Sequence, residues 1–152
     1  MRTLNYILSG LILIGMIFAS GCGDDDGPPV ITDAEKRIAL LSSQTWNFNT
    51  VTQTGINISA EFNGATVTFT GTGTFSTANI DPTYEPIFPA SGSWSIPDET
   101  QINQILFNSI PMTISNATET ALTLEFSFIG ASANTGGRIN SLDGDYVVTF
   151  TR

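Results

Sequence analysis

Histidine is absent from the chain and cysteine occurs once. The first absence excludes a Ser-His-Asp triad, a Cys-His pair and every histidine-containing zinc site. A single cysteine excludes an internal disulfide and a multi-cysteine metal cluster. Cations are scarce, with 5 Lys+Arg against 14 Asp+Glu and a formal net charge of −9. A surface that acidic is repelled by phosphate backbones, so nucleic acid is not an expected partner. Charged residues are only 12% of the chain while hydrophobic ones reach 41%, which is too apolar for chain-wide disorder. The length suits one domain around a single core.

The N-terminus has one cation, Arg2, then an apolar run from Tyr6 to Ala19, then Ser20-Gly21-Cys22. A charged start, a short apolar stretch and small residues predict a secretory leader, residues 1–21, rather than a permanent membrane span. Ala19-Ser20-Gly21-Cys22 resembles the bacterial lipobox. That resemblance implies cleavage before Cys22, a diacylglyceryl thioether on its sulfur and acylation of its amine. Two or three chains anchor firmly where one is marginal, at about 0.8 kcal/mol per buried methylene. Gly23-Asp24-Asp25-Asp26-Gly27-Pro28-Pro29 follows, so residues 22–31 read as a lipidated cysteine on a solvated, self-repelling tether. The acidic run after the cysteine resembles the export signal of Bacteroidota surface lipoproteins. It implies an outer-membrane protein facing outward; a periplasm-facing tether is the alternative.

The remainder, residues 32–152, divides by period. Thr32-Asp33-Ala34-Glu35 predicts a capping box, and Ala34, Ile38 and Leu41 share one face of a short helix ending near Ser42-Ser43. From Trp46 onward the period is 2, most clearly in Leu122-Thr123-Leu124-Glu125-Phe126-Ser127-Phe128. One buried and one wet face is the antiparallel signature. About eight strands are expected, near 46–53, 56–62, 65–70, 73–78, 92–96, 103–108, 111–116 and 121–129, with a closing one at 144–151. Turn residues separate them at Asn63-Gly64, Gly71-Thr72-Gly73, Asp81-Pro82, Pro97-Asp98, Asn116-Ala117 and Asp143-Gly144. Serial strands with no helical crossovers predict an all-β, up-and-down antiparallel barrel of about 8–9 strands with a short N-terminal helix. A β-sandwich is the alternative. Ile80–Ser91 carries Pro82, Pro86 and Pro89 and reads as a long loop over one end, and Gly130–Asn140 as a flexible connection.

A helix, Trp46 opening the first strand, Thr66-Val67-Thr68-Phe69 running into Gly73-Thr74-Phe75-Ser76, then Phe88-Pro89-Ala90-Ser91-Gly92-Ser93-Trp94-Ser95-Ile96, and a last Leu142-Asp143-Gly144-Asp145-Tyr146-Val147-Val148-Thr149-Phe150 occur in that order. The order resembles the lipocalin-like lipoproteins of Bacteroidota, small calycin-type barrels on a lipid tether, over roughly residues 33–152. It implies an up-and-down barrel with a helix packed at one end, and no particular ligand.

Catalysis is not expected. Glu61, Glu85, Glu99, Glu119 and Glu125 are scattered, and a carboxylate hydrolase needs two carboxyls facing across a cleft. Asp143-Gly144-Asp145 lacks the further ligands of a calcium loop, so no metal and no cofactor is expected. Candidate barrel-lining residues for a small hydrophobic molecule or a glycan are Trp46, Phe48, Phe69, Phe75, Trp94, Phe126, Phe128, Tyr146 and Phe150. The expected function is accordingly a non-enzymatic, monomeric, lipid-anchored envelope protein that binds such a ligand. The alternative is a protein–protein interaction or structural module of an outer-membrane complex, with a filled core and Tyr84, Ile87 and Phe88 exposed on a partner loop.

Overall fold

A computed structural model describes residues 31–130 and 142–152. The leader, Cys22 and its tether through residue 30, and residues 131–140 of the expected connection lie outside the described residues. Helix α1 spans Asp33–Ser42. Its capping box forms as expected: the Glu35 amide donates to Thr32 Oγ1 at 3.1 Å, and the Thr32 amide to Glu35 Oε2 at 2.7 Å. Ten residues are marginal alone, so α1 depends on burying Ala34 and Leu41 against the strands.

Nine strands follow: β1 (Thr45–Gln53), β2 (Ile56–Asn57), β3 (Thr66–Phe69), β4 (Thr74–Ala78), β5 (Ser91–Ser95), β6 (Gln104–Phe107), β7 (Ile110–Ala117), β8 (Ala121–Phe128) and β9 (Gly144–Thr151). Every pairing is antiparallel, and β1-β3-β4-β5-β6-β7-β8-β9 are neighbours in that order. β9 then pairs back onto β1 from Asn47↔Thr151 to Gln53↔Tyr146. That closure makes an eight-stranded barrel and disposes of the sandwich; β2 is an extra strand on β1. One-residue bulges, Asn49 in β1 and Ser115 in β7, break the registers Phe48/Thr50 and Ile114/Asn116. Such bulges bend a strand where the wall must curve.

Most strand ends fall within one residue of expectation, and two segments depart from it in kind. The second strand does not run through 56–62 but stops at Asn57, and Ser59–Phe62 forms a 3₁₀ turn, η1. Asn57 Oδ1 accepts from the Ser59 amide at 2.9 Å, and Ser59 Oγ takes the Val51 amide at 2.9 Å, so side chains replace the ladder. β7 continues through Asn116-Ala117, and its turn falls one step later, where the Thr118 amide donates to Ala121 O.

Alternation is carried through to burial. Trp46, Val67, Phe69, Phe75, Trp94, Ile105, Phe107, Met112, Ile114, Leu122, Leu124, Phe126, Tyr146, Val148 and Phe150 are buried inside the barrel. Their neighbours Thr45, Thr74, Ser76, Ser93, Ser95, Thr113, Glu125, Ser127 and Asp145 are exposed on its wall. A polar exterior around an apolar interior is the reverse of a membrane-spanning barrel. No described helix is long and apolar enough to cross a membrane.

Candidate functional site

The two ends of the barrel are closed differently. At one, α1 lies across the opening, with the Trp46 indole N–H donating to Leu41 O at 2.9 Å and Arg37 reaching Asn103 Oδ1 at 3.1 Å. At the other, η1 and the β4–β5 loop turn inward. That loop contains a 3₁₀ turn, η2 (Pro82–Tyr84), capped by Asp81, whose Oδ1 accepts from the Thr83 amide at 2.8 Å.

This loop corrects the sequence reading. The alternative, interaction-module reading places Tyr84, Ile87 or Phe88 on an exposed partner surface, but they are 8%, 0% and 2% exposed. The physical reason is that the barrel mouth offers these large apolar side chains a dry place, and burial of each contributes about 1.5–3 kcal/mol. Pro82 and Pro86 stay exposed while Tyr84 and the adjacent Ile87 and Phe88 drop in as a plug.

The plug meets the rings of the strands. Phe88 contacts Phe48 at 5.2 Å, Phe62 at 5.8 Å, and Phe107 and Phe126 at 6.0 Å each, all edge-on. Phe48 continues to Phe150 and Phe62 to Tyr84; Phe107 to Phe69 and Phe75, and Phe69 to Trp94; Phe126 stacks on Tyr146 at 5.1 Å. Phe88 therefore joins three groups of rings that do not otherwise touch. Of the expected lining residues, Trp46, Phe69, Phe75, Trp94, Phe126, Tyr146 and Phe150 are buried, and Phe48 and Phe128 are half-buried against the same core. The structure brings them together, packed on one another and on the plug. Phe62, Phe107 and the plug residues are the interior members that alternation alone did not single out as lining.

Two tyrosines mark the plugged mouth. Burial pushes the Tyr146 phenol well above its ordinary range, with smaller contributions from Tyr84 and Asp143, and its hydroxyl donates to Leu142 O at 2.8 Å. Burial likewise raises Tyr84, followed by the charges of Glu61 and Asp81. These groups are built to stay protonated.

Clefts open on the outer side of the ring network and reach some of its members. A trough of about 530 Å³ crosses the outer wall of β6 to β9. It is lined by Gln104, Pro111, Thr113, Glu125, Ser127, Asp145 and Val147, and by Met112, Phe126 and Tyr146 from the inward set. Ser127 Oγ donates to Asp145 Oδ1 at 2.5 Å across the β8–β9 rung. Smaller clefts, of about 260 and 180 Å³, lie beneath α1 beside Ile38 and Trp94, and beside the plug at Thr77, Ile80 and Glu85. Of the scattered glutamates only Glu125 enters the trough, and Asp145 joins it. Among the described residues no group of three or more acidic, histidine or cysteine side chains is placed to hold a metal.

Comparison with models of known protein families, with curated proteins and with solved structures gave no match. The site therefore has to be read from its own chemistry.

Proposed function

We propose that this chain is a lipid-anchored, lipocalin-like envelope lipoprotein whose barrel acts as a non-enzymatic interaction module, holding a partner on its outer wall. The observation that carries this reading is the filled interior. Strand rings, η1 and the Phe88 plug occupy the volume in which a small ligand would lie. What is left for recognition is the wall, where the β6–β9 trough of about 530 Å³ lies. The lipobox-like Ala19-Ser20-Gly21-Cys22 and the acidic tether support display at the outer membrane, facing outward.

Two measurements test it. Globomycin leaves a lipidated precursor uncleaved, and Cys22→Ser leaves the precursor unprocessed and abolishes incorporation of labelled fatty acid; unchanged processing refutes the anchor. The chain extracted from its own envelope in mild detergent migrates as a complex larger than the monomer, and native mass spectrometry shows no retained small molecule. A monomer carrying a stoichiometric small molecule would return the function to the barrel interior.

A further inference from the structure

The wall is not uniform in charge. The cations among the described residues are Lys36 and Arg37 on α1, and Arg152 after β9. All three belong to the end closed by the helix; Lys36 is spent on Asp33 at 2.9 Å, and Arg37 on Asn103. Glu125 and Asp145 point outward from adjacent strands, near neighbours through the registers Glu125↔Val147 and Ser127↔Asp145. No ion pair joins either to a cation among the described residues. Two carboxylates therefore share one concave surface with no counter-charge among the described residues.

The same surface is also apolar and strand-shaped. Pro111 and Val147 lie in the trough, Val147 being 39% exposed, and Ile129, two residues beyond Ser127, is 89% exposed. Backbone bonding places these features along a strand direction. The β6–β7 hairpin turns on Asn108-Ser109 with Phe107↔Ile110 flanking, and the Ile114 amide donates to Asn103 O at 2.7 Å. Even-numbered residues of β7 thus bond toward β6, and Pro111 and Thr113 face β8. Pro111 has no N–H to give there, and the β7–β8 register runs no further toward the plugged end than Thr113↔Glu125. The trough lies where this ladder stops.

We infer that the trough docks an extended, cationic segment of a partner protein, with lysine or arginine meeting Glu125 and Asp145 and small apolar residues resting on Pro111 and Val147. This rests on the interaction-module reading and names the partner's chemistry. A glycan would use the hydroxyls and amide but leave the carboxylates without a counter-charge, whereas alternating cationic and small side chains match both. Extended chains present every second residue to one face, which suits a trough crossing several strands.

The test titrates the full chain, in non-ionic detergent, with a peptide as long as β8, 8 residues, whose every-second positions on one face carry lysine and valine in turn. A peptide with glutamate for lysine is the comparison. Saturable binding of the lysine peptide alone is expected, weakened about tenfold in Glu125→Gln/Asp145→Asn, the sum of two exposed charge pairs. Glu99→Gln/Glu119→Gln removes the same charge from exposed positions at the opposite end and leaves the affinity within about twofold. All four positions are exposed, and thermal melts confirm that each variant is folded. Equal losses in the two double variants overturn the assignment, because net charge alone would then explain binding. So does equal binding of the glutamate peptide, or no binding of either. If the trough variant binds the lysine peptide as tightly as the unaltered chain, or the unaltered chain binds neither peptide, while the extracted lipoprotein still migrates as a complex, the trough falls and the module reading stands.

Discussion

Phe88→Ala removes the ring that connects the interior. Phe88 is 2% exposed and touches four other rings at 5.2–6.0 Å. Phe→Ala in a core costs about 3–5 kcal/mol, and aromatic pairs add about 0.5–1.5 kcal/mol each beyond area. The four partners belong to three ring groups anchored on different strands and on η1, so they cannot collapse together into the space. The expected cost is therefore at the upper end, about 4–5 kcal/mol. For a domain stable by about 5–15 kcal/mol the variant still folds but is marginal. With a urea m-value of about 1.5 kcal/mol/M the midpoint falls by about 3 M. Ile80→Ala, in the same loop but only half-buried, is the comparison and costs less than about 2 kcal/mol. Urea unfolding followed by tryptophan fluorescence reads both, since Trp94 lies on the Phe69 arm of the network. A loss below about 1.5 kcal/mol for Phe88→Ala would mean that the plug rests on the barrel without filling it, and the filled-interior argument would fail with it.

Other consequences are equally direct. Ser109 holds φ 74° in the β6–β7 turn, a region that costs residues with a Cβ about 1 kcal/mol, so Ser109→Gly raises stability by about that amount in the same urea assay. A Cβ at Gly92 would lie 2.8 Å from Phe75 Cε1 and Cζ, and Phe75 is stacked on Phe107 at 3.8 Å with nowhere to retreat; Gly92→Ala costs about 1–3 kcal/mol in a thermal melt. Because burial raises the Tyr146 pKa, the native state keeps a proton that the unfolded chain releases above about pH 10. Stability is thus unaffected by this group below about pH 10 and falls as pH rises beyond it, and Tyr146→Phe flattens that decline. A profile of unfolding midpoints with equal slopes in both proteins would refute it.

Much of this architecture is legible in residue order because strand alternation is a local property. Leu122 through Phe128 alternates in the sequence and alternates in burial, and Thr32 and Glu35 announce their capping box three residues apart. What is not local was not legible. Three prolines mark the β4–β5 segment as a loop, yet nothing in Tyr84-Glu85-Pro86-Ile87-Phe88 says whether its apolar residues face water or the barrel mouth. That choice is made by the cavity that eight other segments build. Phe62 was concealed differently, since Ser59 and Asn57 capture backbone groups that a strand would have used. The trough escaped for a third reason: Thr113, Glu125 and Asp145 are polar positions on three separate strands, and concavity arises only when registers set them side by side.

This division between plug and wall decides where binding can be strong. Residues on loops must be ordered when a partner arrives, at about 0.5–1.5 kcal/mol for each flexible side chain immobilised. Thr113, Glu125, Ser127, Asp145 and Val147 stand instead on three long strands, tied by the continuous β8–β9 register from Ala121↔Thr151 to Phe128↔Gly144. Beneath them Met112, Phe126 and Tyr146 are buried, and Phe126 is pinned by Phe88. The filled interior and the outer trough are therefore two faces of the same rungs. Packing that denies a ligand the inside also holds the outside in one shape before any partner binds. A loosened plug should weaken docking on a surface that it reaches only through Phe126.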